Sequence, residues 1–346
     1  VNLEPETSDL GPWTVTIGTR GSPLALWQAE HVADTLRAAA PGLTVRLDRI
    51  RTTGDKITDV PLAKVGGKAL FVKEIEEALA AGSVDLAVHS MKDVPTELPV
   101  GLAIAAMPPR EDPSDALIAR TGGGLAALPR GARVGTSSLR RQAQLLHLRP
   151  DLAIVPLRGN LDTRIRKLAC EGLDAIILAL AGIKRLGLTH LVSEVLPPEM
   201  FLPAIGQGAL GIEVRESRTG ATAEGQAGRP AGERGAPEPP GRDEAIARLV
   251  RILDHHETHL AVRAERGMLA RLQGGCQVPI AAHAELGPRG IRLRGLVASL
   301  DGKTLVRAEA RGPADNPETV GVAVAEELLG RGGRTILAAV YEERPQ

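Results

Sequence analysis

The chain has 346 residues, a length suited to two or three domains, and its 42 basic and 42 acidic side chains cancel to a formal net charge of zero. A neutral chain lacks the basic excess of a nucleic-acid binder, and two Trp, one Tyr and two Phe give no set of aromatic faces for stacking bases, so no nucleic-acid partner is expected. The core must be aliphatic, two distant cysteines make no disulfide framework, and a reducing cytoplasmic setting is the expectation. Val1 to Pro12 show no apolar signal segment, and no run approaches the ~18 apolar residues of a membrane span, so no membrane association is expected.

In chain order, Thr14 to Gly18 reads as a short strand. Ser22 then caps a helix with Pro23 at its first position and Leu24, Trp27 and Leu36 on its apolar side. Leu43 to Ile50 alternates like a strand, and Leu70 to Ala81 reads as a helix closed by Gly82. Asp85 to His89 and Leu102 to Ala106 read as buried strands. The pattern restarts after Pro113, with strands at Arg133 to Thr136, Leu152 to Pro156 and Asp174 to Leu180, and helices entered at Ser137-Ser138 and over Asn160 to Ala169. Cys170, at the end of that last helix, is expected to be an ordinary packing residue. A loop from Leu202 to Gly208 leads to the strand Ala209 to Val214. This alternation predicts α/β units with mainly parallel pairing. Ser217 to Arg242 holds six Gly and four Pro and no large apolar residue, which predicts a disordered linker or surface loop. Helices at Asp243 to Leu253 and Glu257 to Leu272, three strands within Val278 to Arg311 and a helix at Pro317 to Leu329 then predict a small α+β domain.

Two features carry chemistry. Cys276 lies in Gly274-Gly275-Cys276-Gln277-Val278-Pro279. A thiol in a glycine hinge suits covalent attachment or nucleophilic chemistry, although these residues alone favour a buried, inert cysteine. The second feature is arginine placement. Arg20, Arg140, Arg141, Arg158 and Arg185 follow predicted strand ends, with Arg164 and Arg166 on the helix after Arg158, where parallel sheets open their ligand crevice and helix N-termini present free N–H groups. With Thr136, Ser137 and Ser138 as further donors, they describe a site for a ligand rich in carboxylates or phosphates. Asp93, just past a buried strand, is a candidate for proton transfer or for stabilising a developing cation, or it caps a turn before Pro95. His255, His256 and His259 share helical spacing but lack further ligands of suitable type, so no metal is expected. Gly122 to Gly124 lack the Gly-Lys-Ser/Thr of a phosphate loop.

Several motifs, in order along the chain, resemble the porphobilinogen deaminase (hydroxymethylbilane synthase) family. They are Gly18-Thr19-Arg20-Gly21-Ser22-Pro23-Leu24-Ala25, Val88-His89-Ser90-Met91-Lys92-Asp93-Val94-Pro95 and Arg110-Glu111-Asp112-Pro113. Further on come Val134-Gly135-Thr136-Ser137-Ser138-Leu139-Arg140-Arg141, Leu157-Arg158-Gly159-Asn160, Ala204-Ile205-Gly206-Gln207-Gly208 and the segment around Cys276. The resemblance implies an enzyme that joins four porphobilinogen molecules head to tail with loss of ammonia and releases hydroxymethylbilane. It implies a dipyrromethane cofactor held by thioether at Cys276, with Lys92, Thr136, Ser138, Arg140 and Arg141 binding the cofactor's acid side chains. Arg20, Ser22, Arg158, Arg164 and Arg185 would bind substrate or the growing polypyrrole chain, and Asp93 would act in catalysis.

The fold implied is two periplasmic-binding-protein-like α/β domains with a double crossover plus a small C-terminal α+β domain, in a monomer. Domain 1 would take residues 13–108 and 209–216, domain 2 residues 114–202, and domain 3 residues 243–346. Two departures stand out: the long segment 217–242, and Ala69 in Gly66 to Phe71, where glycine is common in a lid-like loop. A binding module without chemistry and a Cys-nucleophile hydrolase are the competing readings.

Overall fold

The computed structural model describes residues 14–56, 71–216, 241–274 and 278–342. The chain first lays down strands β1 (Thr14–Thr19), β2 (Thr44–Arg49), β3 (Leu86–Ser90) and β4 (Leu102–Ala106). It then crosses over to form β5 (Asp115–Ala119), β6 (Arg133–Gly135), β7 (Ala153–Val155), β8 (Ala175–Ala179) and β9 (Glu194–Leu196), and crosses back as β10 (Leu210–Arg215). The first sheet has the order β2-β1-β3-β10-β4 and the second the order β7-β6-β8-β5-β9. In each, the first three strands of that order pair in parallel, while β10 and β5 run antiparallel to both neighbours. This refines the expectation of mainly parallel pairing. The antiparallel strand is in both cases the first one after a crossing, where the chain arrives from the other unit without the helical return a parallel pair needs.

Each sheet is covered on both faces, which is why β8 reads as one apolar run rather than an alternating one. Helix α1 (Pro23–Ala39) packs Val32, Ala33 and Leu36 onto one face of the first sheet, and α2 (Lys73–Ala80) packs Ile75 and Leu79 near Ala87 on the other. In the second unit, α3 (Leu139–Leu148) supplies Leu145 to one face. Helices α4 (Leu161–Cys170) and α5 (Leu180–Arg185) supply Leu168 and Ile183 to the other. Cys170, expected to pack, is exposed at the end of α4, whose inward residue is Leu168.

Helix α6 (Arg242–Arg251), in the stretch expected to open domain 3, packs on the first sheet. Ile246, Leu249 and Val250, with Leu253 beyond its end, lie in the core of the first sheet beside Val15, Ile17 and Ile212. Burial of such side chains is worth roughly 1.5–3 kcal/mol each, enough to decide where the helix docks. Arg242 Nε reaches Asp85 Oδ1 at 2.8 Å and Arg215 Nε reaches Asp243 Oδ1 at 2.8 Å, tying its first two residues to the same unit.

The third unit is an antiparallel sheet of β11 (Ile280–Gly287), β12 (Gly290–Ala298) and β13 (Leu305–Gly312), covered by α7 (His256–Arg271) and α8 (Pro317–Leu328). A last helix, α9 (Arg334–Glu342), which the sequence reading does not anticipate, adds Leu337 and Val340 to this core. The opposite face of the sheet meets α3 of the second unit through Ala281, Leu296 and Ala298 against Ala143 and Leu202. Two mixed α/β units joined by a double crossing and a small α+β unit are thus the fold class. No helix among the described residues is long and apolar enough to cross a membrane. Most of the segment 217–242 lies outside the described residues, as do residues 57–70 with Ala69.

The two crossings touch each other. Glu111 N donates to Gly208 O at 3.2 Å, and Gly208 has φ +88° with no room for a side chain: a Cβ there would stand 2.2 Å from Glu111 O. Gly208→Ala is therefore expected to destabilise the protein by roughly 1–3 kcal/mol, read as a drop in Tm of several degrees.

Candidate active site

A cavity of about 490 Å³ opens between the first and second units, with α7 of the third closing one side. Its wall brings together Arg20, Ser22, Lys92, Asp93, Ser138, Arg140, Arg141, Arg158, Arg164 and Arg185 from distant parts of the sequence. Thr136 does not line it. Thr136 is buried behind the wall, and its Oγ1 accepts a hydrogen bond from Ser138 N at 3.1 Å. Cys276 lies outside the described residues, which resume at Val278, itself on the cavity wall.

Local chemistry explains each placement. Ser22 caps α1 by accepting from Ala25 N at 3.3 Å, which fixes the turn that carries Arg20 past the end of β1. The Arg20 guanidinium lies over the Phe71 ring, 4.4 Å from its centroid. β3 ends at Ser90 and a single turn of 3-10 helix, Met91–Asp93, follows, so Lys92 and Asp93 emerge at a strand exit. Ser138 caps α3, which starts Arg140 and Arg141 inside the cleft. His255 does structural work, since its Nδ1 accepts from Thr258 N at the start of α7, and His259 pairs with Asp254 at 2.8 Å.

Arg140 and Arg141 are each only 5% exposed and share one carboxylate, Asp115, which is fully buried. Arg140 Nη1 donates to Asp115 Oδ2 at 2.7 Å and Arg141 Nη2 to Asp115 Oδ1 at 2.7 Å. Backbone carbonyls take other donors: Leu202 O accepts from Arg140 at 2.8 Å and Ile177 O from Arg141 at 3.1 Å. Gln207 Nε2 also reaches Asp115, at 3.0 Å. Burial by itself would raise the Asp115 pKa, but the two guanidiniums hold it well below the usual carboxylate range. Sequence reasoning missed Asp115. The signal was a charged residue heading the apolar run Ala116 to Ala119, because a carboxylate in a buried strand needs a cationic partner.

Two further cations of the wall bind backbone carbonyls rather than carboxylates. Arg164 Nε donates to Gly159 O at 2.7 Å and Arg185 Nη2 to Gly208 O at 2.7 Å. Burial lowers both to about 10, with Arg141 and Arg158 adding to the effect on Arg164, so both remain cations at neutral pH. Loss of solvent lowers Lys92 to about 8, with Asp93 opposing the shift and Arg141 and Arg140 adding to it. Two buried donors, Arg158 Nη1 and Arg140 Nε, have no hydrogen-bond partner among the described residues. Orphaned guanidinium donors on the wall of a cationic cavity fit a ligand that brings several carboxylates, as a dipyrromethane group would.

Removing the shared carboxylate should be costly. Asp115→Asn is expected to destabilise the protein by about 3–5 kcal/mol, because it strands two buried positive charges. The sign with pH follows from the depressed pKa. Asp115 contributes stability above its unfolded value near 3.8 and loses it as pH falls through the lower folded value. The acid limb of a stability profile, measured below about pH 4, should therefore be shallower in Asp115→Asn than in the wild type.

Comparison with known proteins agrees with this geometry. Residues 15–223 match the family model "Porphobilinogen deaminase, dipyromethane cofactor binding domain", and residues 259–330 match "Porphobilinogen deaminase, C-terminal domain". A porphobilinogen deaminase from Pelobacter propionicus is 53% identical over 96% of this chain and 98% of its own. One from Syntrophotalea carbinolica is 54% identical over 94% and 95%. Among solved structures, the periplasmic aliphatic sulphonate binding protein SsuA from Escherichia coli is similar at 18% identity over 76% of this chain and 71% of that one. Its TM-score of 0.37 is too low to argue from. With two family models along its length and relatives more than half identical over nearly all of it, the chain belongs to the porphobilinogen deaminase family.

Proposed function

We propose that this chain joins four porphobilinogen molecules head to tail on a dipyrromethane primer tethered through Cys276, releasing ammonia at each step and hydroxymethylbilane by final hydrolysis. The observation that carries the reading is an acidic side chain, Asp93, set at a strand exit within the field of Lys92 and Arg164, in a cavity otherwise rich in guanidiniums. A site meant only to hold polycarboxylates would gain nothing from that carboxylate. A site that must stabilise a positive charge on the reacting ring needs it.

The roles divide accordingly. Arg140, Arg141, Lys92 and Ser138 hold the primer's acid side chains, with Thr136 bracing Ser138 from behind. Arg20, Ser22, Arg158, Arg164 and Arg185 receive the acetate and propionate of each incoming pyrrole. When bound, the primer supplies a pyrrole carbon as the nucleophile. Asp93 accepts a hydrogen bond from the substrate pyrrole N–H and favours the positive charge that spreads over that ring as its C–N bond breaks and ammonia leaves. The arginines would oppose that charge if they faced the ring. Their place is at its carboxylates, where two-pronged pairing orients the ring for attack. The protein works as a cytoplasmic monomer.

Intact-mass measurement tests the tether. The purified protein is expected to be heavier than its sequence by two linked pyrrole units, and Cys276→Ser is expected to lose that mass; a fully active enzyme without it would end the proposal. Asp93→Asn should keep the extra mass and lose turnover by about 10²–10³-fold, and normal turnover in that variant would remove Asp93 from its role.

A further inference from the structure

The turn that carries Asp93 is held from the third unit. Arg266 on α7 lines the cavity, yet it meets no carboxylate among the described residues. Its guanidinium donates to three consecutive backbone carbonyls just past Asp93: Val94 O at 3.1 Å, Pro95 O at 2.5 Å and Thr96 O at 3.2 Å. One helical turn earlier on the same face, Val262 is fully buried against Met91 and Val94. From the other side, Gly206 of the second crossing, at φ +69°, lies so close that a Cβ would stand 2.9 Å from Met91 Cβ. Glu265, the neighbour of Arg266, holds that crossing in turn, since its Oε2 accepts from Gly206 N at 2.7 Å. The backbone on both sides of Asp93 is therefore fixed by α7 and by a loop that α7 anchors.

We propose that Arg266 is a positioning residue for the condensation: by clamping the Val94, Pro95 and Thr96 carbonyls it fixes Asp93 against the reacting ring, and it binds no substrate carboxylate. This rests on the reading of Asp93 given above. Three of the five guanidinium N–H groups are spent on these carbonyls, both of those on Nη2 among them, which leaves no two-pronged fork for a carboxylate. The clamp also joins two parts of the mechanism. α7 runs on through Leu272 into the segment that carries Cys276, so one rigid helix sets both the start of the tether and the place of the carboxylate. A small misplacement of a catalytic group is costly in rate and nearly neutral for binding.

The test uses the full-length, primer-loaded enzyme with Arg266→Gln and Arg266→Lys, each alone and Arg266→Gln also combined with Asp93→Asn. Arg266→Gln is expected to keep the primer mass, lower kcat about tenfold and leave KM for porphobilinogen within about twofold. Arg266→Lys, which keeps a donor for part of the clamp, should recover part of the loss. In the Asp93→Asn background, Arg266→Gln should cost less than about threefold more, because both changes remove one function. A rise in KM with kcat unchanged would make Arg266 a substrate ligand and overturn the proposal. So would a full tenfold loss on top of Asp93→Asn, or loss of the primer mass, which would mark a general structural role. The primer mass of the wild type and the turnover of Asp93→Asn alone report separately on the proposed function.

Discussion

Asp115 is fully buried, and a carboxylate can remain ionised there only because two guanidiniums and an amide converge on its two oxygens. The dependence runs both ways. Arg140 and Arg141 are consecutive residues with like charge in a buried setting, and neither would stay there without the shared counter-ion. The same bonds also link the elements. Asp115 heads the first strand after one crossing, Gln207 belongs to the other, and Leu202, whose carbonyl takes a further Arg140 donor, precedes it. Assembly of the cationic wall and attachment of the second unit to both crossings are thus one network, and a change that weakens either weakens both.

A chain with no net charge nevertheless presents a cationic cleft because its arginines are satisfied in two different ways. On the outer surface they pair with carboxylates, as Arg292 does with Glu309 at 2.7 Å and Arg263 with Glu318 at 2.6 Å. Such exposed pairs add little to stability but cancel charge locally. Inside the cleft, Arg164, Arg185 and Arg266 bind backbone carbonyls instead. A carbonyl orders the guanidinium without neutralising it, so the positive field is kept for the ligand. Counting charges over the whole sequence hides this, because the balance is global and the imbalance local.

What the sequence made legible is what local rules govern. The arginines at strand exits could be found because a strand followed by a capped helix forces the residues between them to the crevice edge, and Ser22 and Ser138 do cap the helices that follow. Asp93 was found for the same reason. Long-range partnerships were not legible: no local pattern says that Asp115 faces Arg140, or that Arg266 reaches back to the loop after Asp93. Helix α6 shows the same limit. Its apolar face at Ile246, Leu249 and Val250 announces an amphipathic helix, but such a face fits any apolar sheet, and only packing assigns it to the first unit rather than the third. The exposure of Cys170 is a smaller case, decided by which side of α4 faces the sheet.

The third unit then has a reason to exist beyond carrying a thiol. Asp93, the carboxylate proposed to act in catalysis, belongs to the first unit and most of the cations to the second, so the distance between them is set by whatever bridges the two. The crossings alone are two strands of chain, and strands can bend. α7 stiffens them: Glu265 accepts from Gly206 N and pairs with Arg110 Nη1 at 2.7 Å, which grips one residue chain from each crossing. Arg110 Nε in turn donates to Gln207 O at 2.8 Å, and Gln207 reaches Asp115. The path from Asp93 to Arg140 therefore runs through Val94, Arg266, Glu265, Arg110, Gln207 and Asp115, every step a hydrogen bond or a peptide link. A site that must hold a ring's charge at one end and its carboxylates at the other requires that separation to be constant, and a small domain wedged against both units is the part of this fold that makes it so.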